Sequence, residues 1–405
     1  MNIAELRALA RKRLPRILFD WVDGGAEDER LLRRNEEQFA RFRLIPRCLT
    51  NIERIGLSTP LFERTWHLPF GIAPTGYAGL LRPGADLMLA RAARSAGIPF
   101  VLSGTSTSSV EKAVAAAPGH VWFQLYAGRT SDISLDLLRR AEDAGVRTLV
   151  YTVDTPCEPK RERDIRNGFD LPLEITPRLL ADIARHPKWL AGYLRSGGLP
   201  VMESWAPYAR PGAGALEVAG AMKANFYSTQ TWRDFERLRS RWSGHFVIKG
   251  ILDPKDAETA CRLGADAIIV SNHGGRQLDT APTCLEALPH IRAVVPSRTK
   301  VFVDGGFRRG SDVVIALCLG ADFVFTGRAT LYGAIAAGEP GARRAIDILR
   351  DEIERTMGHM GCCSIAELDH SRIMRAGEAF GVLHIVPLQP ANASVGERML
   401  LDTVK

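Results

Sequence analysis

The stretch FVIKGILDPKDAETACRLGADAIIVSN, residues 246–272, holds two short apolar runs separated by one amphipathic segment. The runs, Phe246–Gly250 and Ala267–Asn272, have strand length and end in polar or glycine residues. Between them Pro254–Leu263 has helical spacing and stops at a glycine. Outward from this unit the pattern repeats. Apolar runs lie before it at Leu68–Thr75, Ile98–Gly104, Val121–Tyr126 and Thr148–Asp154, and after it at Lys300–Gly306 and Phe323–Arg328. Helical stretches such as Asp86–Ser95, Ser134–Ala144 and Ser311–Leu319 fall between them. Near-continuous apolar strands alternating with helices require a parallel sheet covered on both faces. Eight such units predict an α/β fold, a (β/α)8 TIM barrel, over an open sheet, whose G-x-G-x-x-G fingerprint is absent.

The rest of the chain is organised around that barrel, placed at 68–360 within one domain over 1–380, with a tail at 381–405. Residues 1–60 read as N-terminal helices broken at Gly24-Gly25, and a long helix follows Gly341. A long insertion follows the fourth strand, because the chain runs from Asp154 to Phe246 before the next one, far beyond a usual loop. Its stretch 170–230 mixes Trp189, Tyr193, Trp205 and Tyr208 with Arg178, Arg185, Lys188 and Arg195. These aromatics read first as packing and second as a membrane-facing surface, centred on 175–221.

With 405 residues, 46% hydrophobic and 24% charged, the chain excludes disorder, collagen and coiled coil. A formal charge of +7 without any Lys/Arg block argues against nucleic acid and suits anionic substrates or anionic lipid. Seven cysteines without C-x-x-C spacing, and a polar amphipathic start at Met1–Arg13, read as reduced thiols in the cytoplasm. No apolar stretch reaches the roughly 18 residues of a spanning helix. G-x-x-x-x-G-K, H-E-x-x-H and G-x-S-x-G are absent, and His186, His290 and His359 lack ligand spacing, so no metal is expected.

In such barrels the reacting groups sit at the C-terminal strand ends. Here those ends read Pro74-Thr75-Gly76, Ser103, Gln124 with Tyr126, Thr152 with Asp154, Lys249, Ser271-Asn272-His273, Asp304-Gly305-Gly306 and Gly327-Arg328. One such polar residue is as often a cap as a functional group; eight converging ends are not explained by capping. The last two ends read as a phosphate site, with Asp304–Arg309 offering backbone N–H groups and Arg308 and Arg328 forking onto the anion. His273 is the general-base candidate, oriented by a carboxylate such as Asp154. Arg276 and Arg161 offer bidentate forks for a substrate carboxylate. Lys249 is either a fixed charge beside a cofactor ring or a Schiff-base nucleophile.

Ser-Asn-His-Gly-Gly-Arg-Gln-Leu-Asp (271–279), Val-Ile-Lys-Gly-Ile-Leu (247–252), Asp-Gly-Gly-Phe-Arg-Arg-Gly (304–310), Phe-Gln-Leu-Tyr (123–126) and Thr-Val-Asp-Thr (152–155) resemble the FMN-dependent 2-hydroxy-acid dehydrogenases and oxidases. That family includes glycolate oxidase, L-lactate dehydrogenase and (S)-mandelate dehydrogenase. The resemblance implies FMN contacts from Pro74, Thr75, Gly76, Ser103, Gln124, Thr152, Lys249, Ser271, Asp304, Gly305, Gly306, Phe307, Arg308, Gly327 and Arg328. It further implies Tyr126, Arg161 and Arg276 around the substrate, with His273 as catalytic base paired to Asp154. Gly76 lies where oxidases often carry alanine. With the aromatic insertion and His186–Trp189, it resembles the membrane-associated mandelate or lactate dehydrogenases. Trp21 departs from the pattern: the family usually has a substrate-binding tyrosine there, and an indole N–H donates but cannot accept.

The expected function is therefore oxidation of an (S)-2-hydroxy acid to its 2-oxo acid, with electrons leaving FMN for a quinone or other carrier. The resemblance also implies a homotetramer. The expected location is the cytoplasm or the cytoplasmic face of the inner membrane. Two rivals use the same residues: an oxygen-using oxidase of the same family, and a Schiff-base aldolase built on Lys249. A non-catalytic phosphometabolite-binding or membrane-docked scaffold leaves the converging polar ends unexplained.

Overall fold

A computed structural model of the chain describes residues 1–170, 176–226 and 229–377. The tail expected at 381–405 lies outside the described residues, as do positions 171–175 and 227–228 of the insertion. Eight strands carry the fold: β1 (Phe70–Ile72), β2 (Phe100–Leu102), β3 (Val121–Leu125), β4 (Thr148–Thr152), β5 (His245–Ile251), β6 (Ala267–Val270), β7 (Lys300–Val303) and β8 (Phe323–Thr326). All neighbours pair in parallel, and β8 returns to β1 through Val324 and Phe70, closing a (β/α)8 barrel. Most strands are shorter than the apolar runs that predicted them, because the last residues of each run leave the ladder.

Alternation along each strand sorts the two faces. Val101, Trp122, Val150, Val247, Ile269, Phe302, Phe323 and Phe325 fill the barrel interior, while Phe100, Leu102, Val301 and Val324 pack beneath the helices. Each such side chain contributes roughly 1.5–3 kcal/mol on full burial. A hairpin, Thr59–Leu61 with Arg64–Trp66, closes the N-terminal end of the barrel. Its tip residue Phe62 stacks on His245 at 3.9 Å and meets Trp122 and Phe302. The opposite end, where the polar residues stand, carries the site.

Local chemistry sets the helix boundaries. Pro254 opens the helix Pro254–Arg262, and Asp253 caps it by accepting from the Lys255 N–H. Capping boxes at Thr231/Asp234 and Thr283/Glu286 start two more. The helix expected after Gly341 runs from Glu339 to Met360. At the N-terminus, helices cover Ile3–Arg13, Arg16–Asp23 and Arg30–Glu37, and a 3-10 turn ends at Arg41. Beyond it the helical expectation for 1–60 fails. Phe42–Leu44 pairs antiparallel with Ile373–Arg375, and Gly56 bridges to Ser364. Pro46 lacks an N–H for a helix, and pairing with distant strands satisfies the neighbouring backbone instead.

The insertion contains helices Glu162–Asn167, Pro177–Ala184, Pro187–Arg195 and Ala215–Phe226. Its aromatics turn inward. The Trp205 indole donates to the Gly104 carbonyl at 2.8 Å, Tyr208 donates to Asp136, and the Tyr193 hydroxyl donates to the Gly79 carbonyl. Among the described residues, the large apolar side chains it leaves exposed are Ile165, Leu180, Leu194, Leu199 and Leu216. Among the described residues no helix is long and apolar enough to cross a membrane.

One irregularity serves the site directly. β5 slips register against β6 between Lys249 and Ile251, where Gly250 has φ +108°. A Cβ there would stand 2.6 Å from the Asp154 Cβ. Gly250→Ala is expected to destabilise the fold by about 1–3 kcal/mol. By displacing Asp154 it is also expected to lower turnover on the order of tenfold to a hundredfold. Thermal melts and steady-state kinetics of the one variant check both effects.

Candidate active site

The strand ends converge on a cavity of about 910 Å³. Of the residues expected there, Trp21, Pro74, Thr75, Gly76, Tyr126, Thr152, Arg161, Lys249, His273, Arg276, Asp304–Arg308, Gly327 and Arg328 line it. Ser103, Gln124, Asp154 and Ser271 are not on its wall. Gln124 Oε1 accepts from Ser103 Oγ at 3.2 Å and from the Gly104 N–H at 3.1 Å. Ser271 Oγ accepts from the His273 N–H at 3.1 Å and from Lys249 Nζ at 2.8 Å.

His273 follows the end of β6 with φ +55°, a left-handed conformation rare for a side-chain-bearing residue and characteristic of functional sites. The two glycines behind it also have positive φ and continue the turn. Its Nδ1 lies 2.9 Å from Asp154 Oδ1, and its Nε2 lies 3.4 Å from the Tyr126 hydroxyl. Burial pushes the His273 pKa below its ordinary 6.5, against the pull of Asp154 and with help from Lys249 and Arg161. Burial would raise Asp154, but the His273 charge and hydrogen bond and the Lys249 charge outweigh it, so the carboxylate stays ionised. A neutral imidazole held by a carboxylate is a base ready to accept a proton at Nε2.

Around this pair the cavity is cationic. Burial pulls the Lys249 amine down, but Asp304, 3.2 Å away, and Asp154 pull harder, and its pKa ends raised. Arg276 is pushed well below its ordinary value by burial and by Arg161 and Arg328. A guanidinium does not lose its proton in a protein, so this direction reports a field short of negative charge. Arg161 donates to the Arg276 carbonyl at 3.3 Å, which brings the two side chains to one corner. Asp164 faces them, its pKa raised by burial against the pull of both arginines. Arg328, expected to fork onto the phosphate, lines the cavity. It braces the wall, donating to the carbonyls of Val22, Gly24 and Gly274 at 2.7–2.9 Å. Arg308 donates to its neighbour Phe307 and pairs with Glu36 at 2.8 Å.

The residues fit a bound FMN. On the wall, Thr75 Oγ1, Thr152 Oγ1 and Asp304 Oδ1 are buried with no partner among the described residues. An unsatisfied buried polar atom costs about 1–3 kcal/mol, so a polar ligand completes this wall. Gly306 has φ +88°, and a Cβ there would fall on the Asn35 carbonyl oxygen, so only glycine lets the loop pass. Beside it the helix Arg328–Ala337 begins at the cavity, with its positive end placed for a phosphate. Among the described residues no group of three or more His, Cys, Asp or Glu could hold a metal.

The sequence did not single out Tyr77, Thr105, Asp164, Phe169 or Phe226, all of which line the cavity. Trp21 sits between two of them, edge-on to Tyr77 and stacked on Phe169, each at 5.4 Å, with Arg276 5.3 Å over its ring. Tyr126 and Phe226 meet at 4.5 Å on the other side. Phe169 and Phe226 come from the insertion, where no local periodicity marks a residue as facing the barrel mouth. Gly76 packs against the same wall, where a Cβ would collide with Thr105 Oγ1.

Residues 10–375 match the family described as FMN-dependent dehydrogenase. The (S)-mandelate dehydrogenase of Pseudomonas putida is 38% identical over 377 residues, covering 93% of this chain and 94% of that protein. An L-lactate dehydrogenase of Xanthomonas euvesicatoria pv. vesicatoria is 40% identical over 372 residues, covering 92% and 96%. Among solved structures, the monotopic membrane protein (S)-mandelate dehydrogenase superposes with a TM-score of 0.88 at 37% identity, covering 93% of this chain and 99% of that one.

Proposed function

The chain belongs to the FMN-dependent dehydrogenase family, and from that premise we propose that it oxidises an (S)-2-hydroxy acid to the 2-oxo acid. One observation carries the reading. The Asp154–His273 pair presents Nε2 to a cavity that also holds Arg276 and Arg161. Bound FMN supplies the two-electron acceptor. Arg276 and Arg161 bind the substrate carboxylate in an environment short of negative charge. Tyr126 lies beside Nε2 and orients the hydroxyl. His273 takes a proton, and ionised Asp154 stabilises the imidazolium. Lys249, held charged by Asp304, stabilises negative charge that develops beside it.

The aromatic walls support an aryl-substituted acid. Trp21, Tyr77 and Phe169 on one side and Tyr126 and Phe226 on the other offer flat apolar surface to a ring. The expected kcat/KM for (S)-mandelate exceeds that for L-lactate by roughly tenfold or more. Anaerobic titration of the FMN-loaded protein with each acid, followed by flavin absorbance, tests the reaction and ranks the acids together. A flavin that none of them bleaches overturns the reading. The Lys249 aldolase is disfavoured because a Schiff base needs a neutral amine, and this one is held protonated. Borohydride with substrate should trap no adduct.

For the acceptor we infer a quinone or other carrier rather than oxygen, supported by Gly76 and by likeness to a monotopic dehydrogenase. Rapid peroxide formation in air overturns it. Leu180 and Leu194, 55% and 72% exposed beside exposed Arg185, Lys188 and Arg195, support docking of the insertion on a membrane surface. Leu180→Glu with Leu194→Glu is expected to move the protein into the soluble fraction while leaving turnover with a soluble dye unchanged. A homotetramer on the cytoplasmic face completes the proposal; light scattering and protease protection test those two points.

A further inference from the structure

Two half-buried arginines of the cavity are held from one place, the C-terminal end of helix Arg16–Asp23. Arg276 Nη1 donates to the carbonyls of Trp21 at 2.6 Å and Gly24 at 2.9 Å. Arg328 donates to the carbonyls of Val22 and Gly24. Free carbonyls at a helix end carry partial negative charge and attract cations. A turn that carries this many contacts must itself be fixed, and the residue inside it is Asp23.

Asp23 is buried and does not itself line the cavity. Arg7 grips both carboxylate oxygens, Nε at 2.5 Å and Nη2 at 2.7 Å. The Tyr332 hydroxyl donates to it at 2.8 Å, and Arg163 stands 3.4 Å away. Burial would raise its pKa, but the bonds from Arg7 and Tyr332 outweigh it and the group stays ionised. Burial also pushes the Tyr332 phenol up to about 12, so it remains a donor. The carboxylate thus ties helices Ile3–Arg13, Arg16–Asp23 and Arg328–Ala337 at the point where the carbonyls meet the arginines.

We propose that Asp23 is a positioning residue for substrate binding, acting through Arg276 by fixing the carbonyls that orient its guanidinium. The inference rests on the carboxylate role given to Arg276 above. Asp23→Asn keeps the shape and removes the charge and one strong acceptor. In the FMN-loaded protein, binding of the 2-oxo acid phenylglyoxylate is read from the perturbed flavin absorbance, without turnover. Asp23→Asn is expected to weaken that binding on the order of tenfold and to raise KM more than it lowers kcat. Arg7→Met, which removes the grip from the half-exposed side, should weaken it in the same direction and serves if Asp23→Asn does not fold. In an Arg276→Lys background the Asp23 substitution should cause no further loss, because its effect runs through Arg276. Unchanged binding in the single variants, or an equal further loss in the double variant, overturns the proposal. If the unsubstituted protein binds no phenylglyoxylate, the carboxylate role of Arg276 fails first and the inference falls with it.

Discussion

His273→Ala is expected to slow flavin reduction by 2-hydroxy acid by about 10²–10⁴-fold, the usual contribution of a positioned general base, while FMN stays bound. The substitution empties a site that Asp154 and Tyr126 flank, so no neighbouring group replaces the imidazole. FMN retention is expected because the unpartnered polar atoms, Lys249 and the helix N-terminus at Arg328 are untouched. The pH dependence has a definite sign. The pKa of His273 is lowered from 6.5, so the base form persists as pH falls through 6.5 and is lost only at a more acid value. The acid limb of kcat/KM should therefore lie below 6.5 in the native enzyme and disappear in the alanine variant. Stopped-flow reduction across pH measures both. A variant that reduces flavin at the native rate removes His273 from the mechanism.

Arg276→Lys is expected to lower kcat/KM on the order of 100-fold, chiefly through weaker binding and misorientation of the carboxylate. Charge is conserved, so the loss measures geometry. An ammonium cannot keep the hydrogen bonds to the Trp21 and Gly24 carbonyls, the stacking over Trp21 and a two-point grip on a carboxylate together. Trp21 offers an indole N–H in place of the family's usual tyrosine hydroxyl, so the proposed two-point grip on the carboxylate rests chiefly on Arg276 and Arg161. Steady-state kinetics with (S)-mandelate check the prediction, and an unchanged kcat/KM overturns the carboxylate role.

Much of this was legible along the chain because the signals are local. Strand–helix alternation is a matter of period, and a barrel places polar residues such as Lys249, His273 and Asp304 at strand ends by counting alone. The motif at 271–279 carried the family resemblance on consecutive residues. The insertion was harder: its aromatics read first as packing and second as a lipid face, and only the fold shows Trp205 and Tyr193 bonded to the Gly104 and Gly79 carbonyls.

The barrel and the cofactor class were readable along the chain, since both rest on local period and on motifs of consecutive residues. Which partner each charged group meets is set only when the barrel closes. Asp154 reaches His273 across 119 positions, and Arg328 reaches the Gly24 carbonyl across 304. Arginines 276 and 328 stand far apart in the chain, yet both line the cavity and both donate to carbonyls at the end of helix Arg16–Asp23. Helix and strand periods depend on neighbours a few residues apart, whereas the partner of a buried charge depends on which loops the closed barrel brings together.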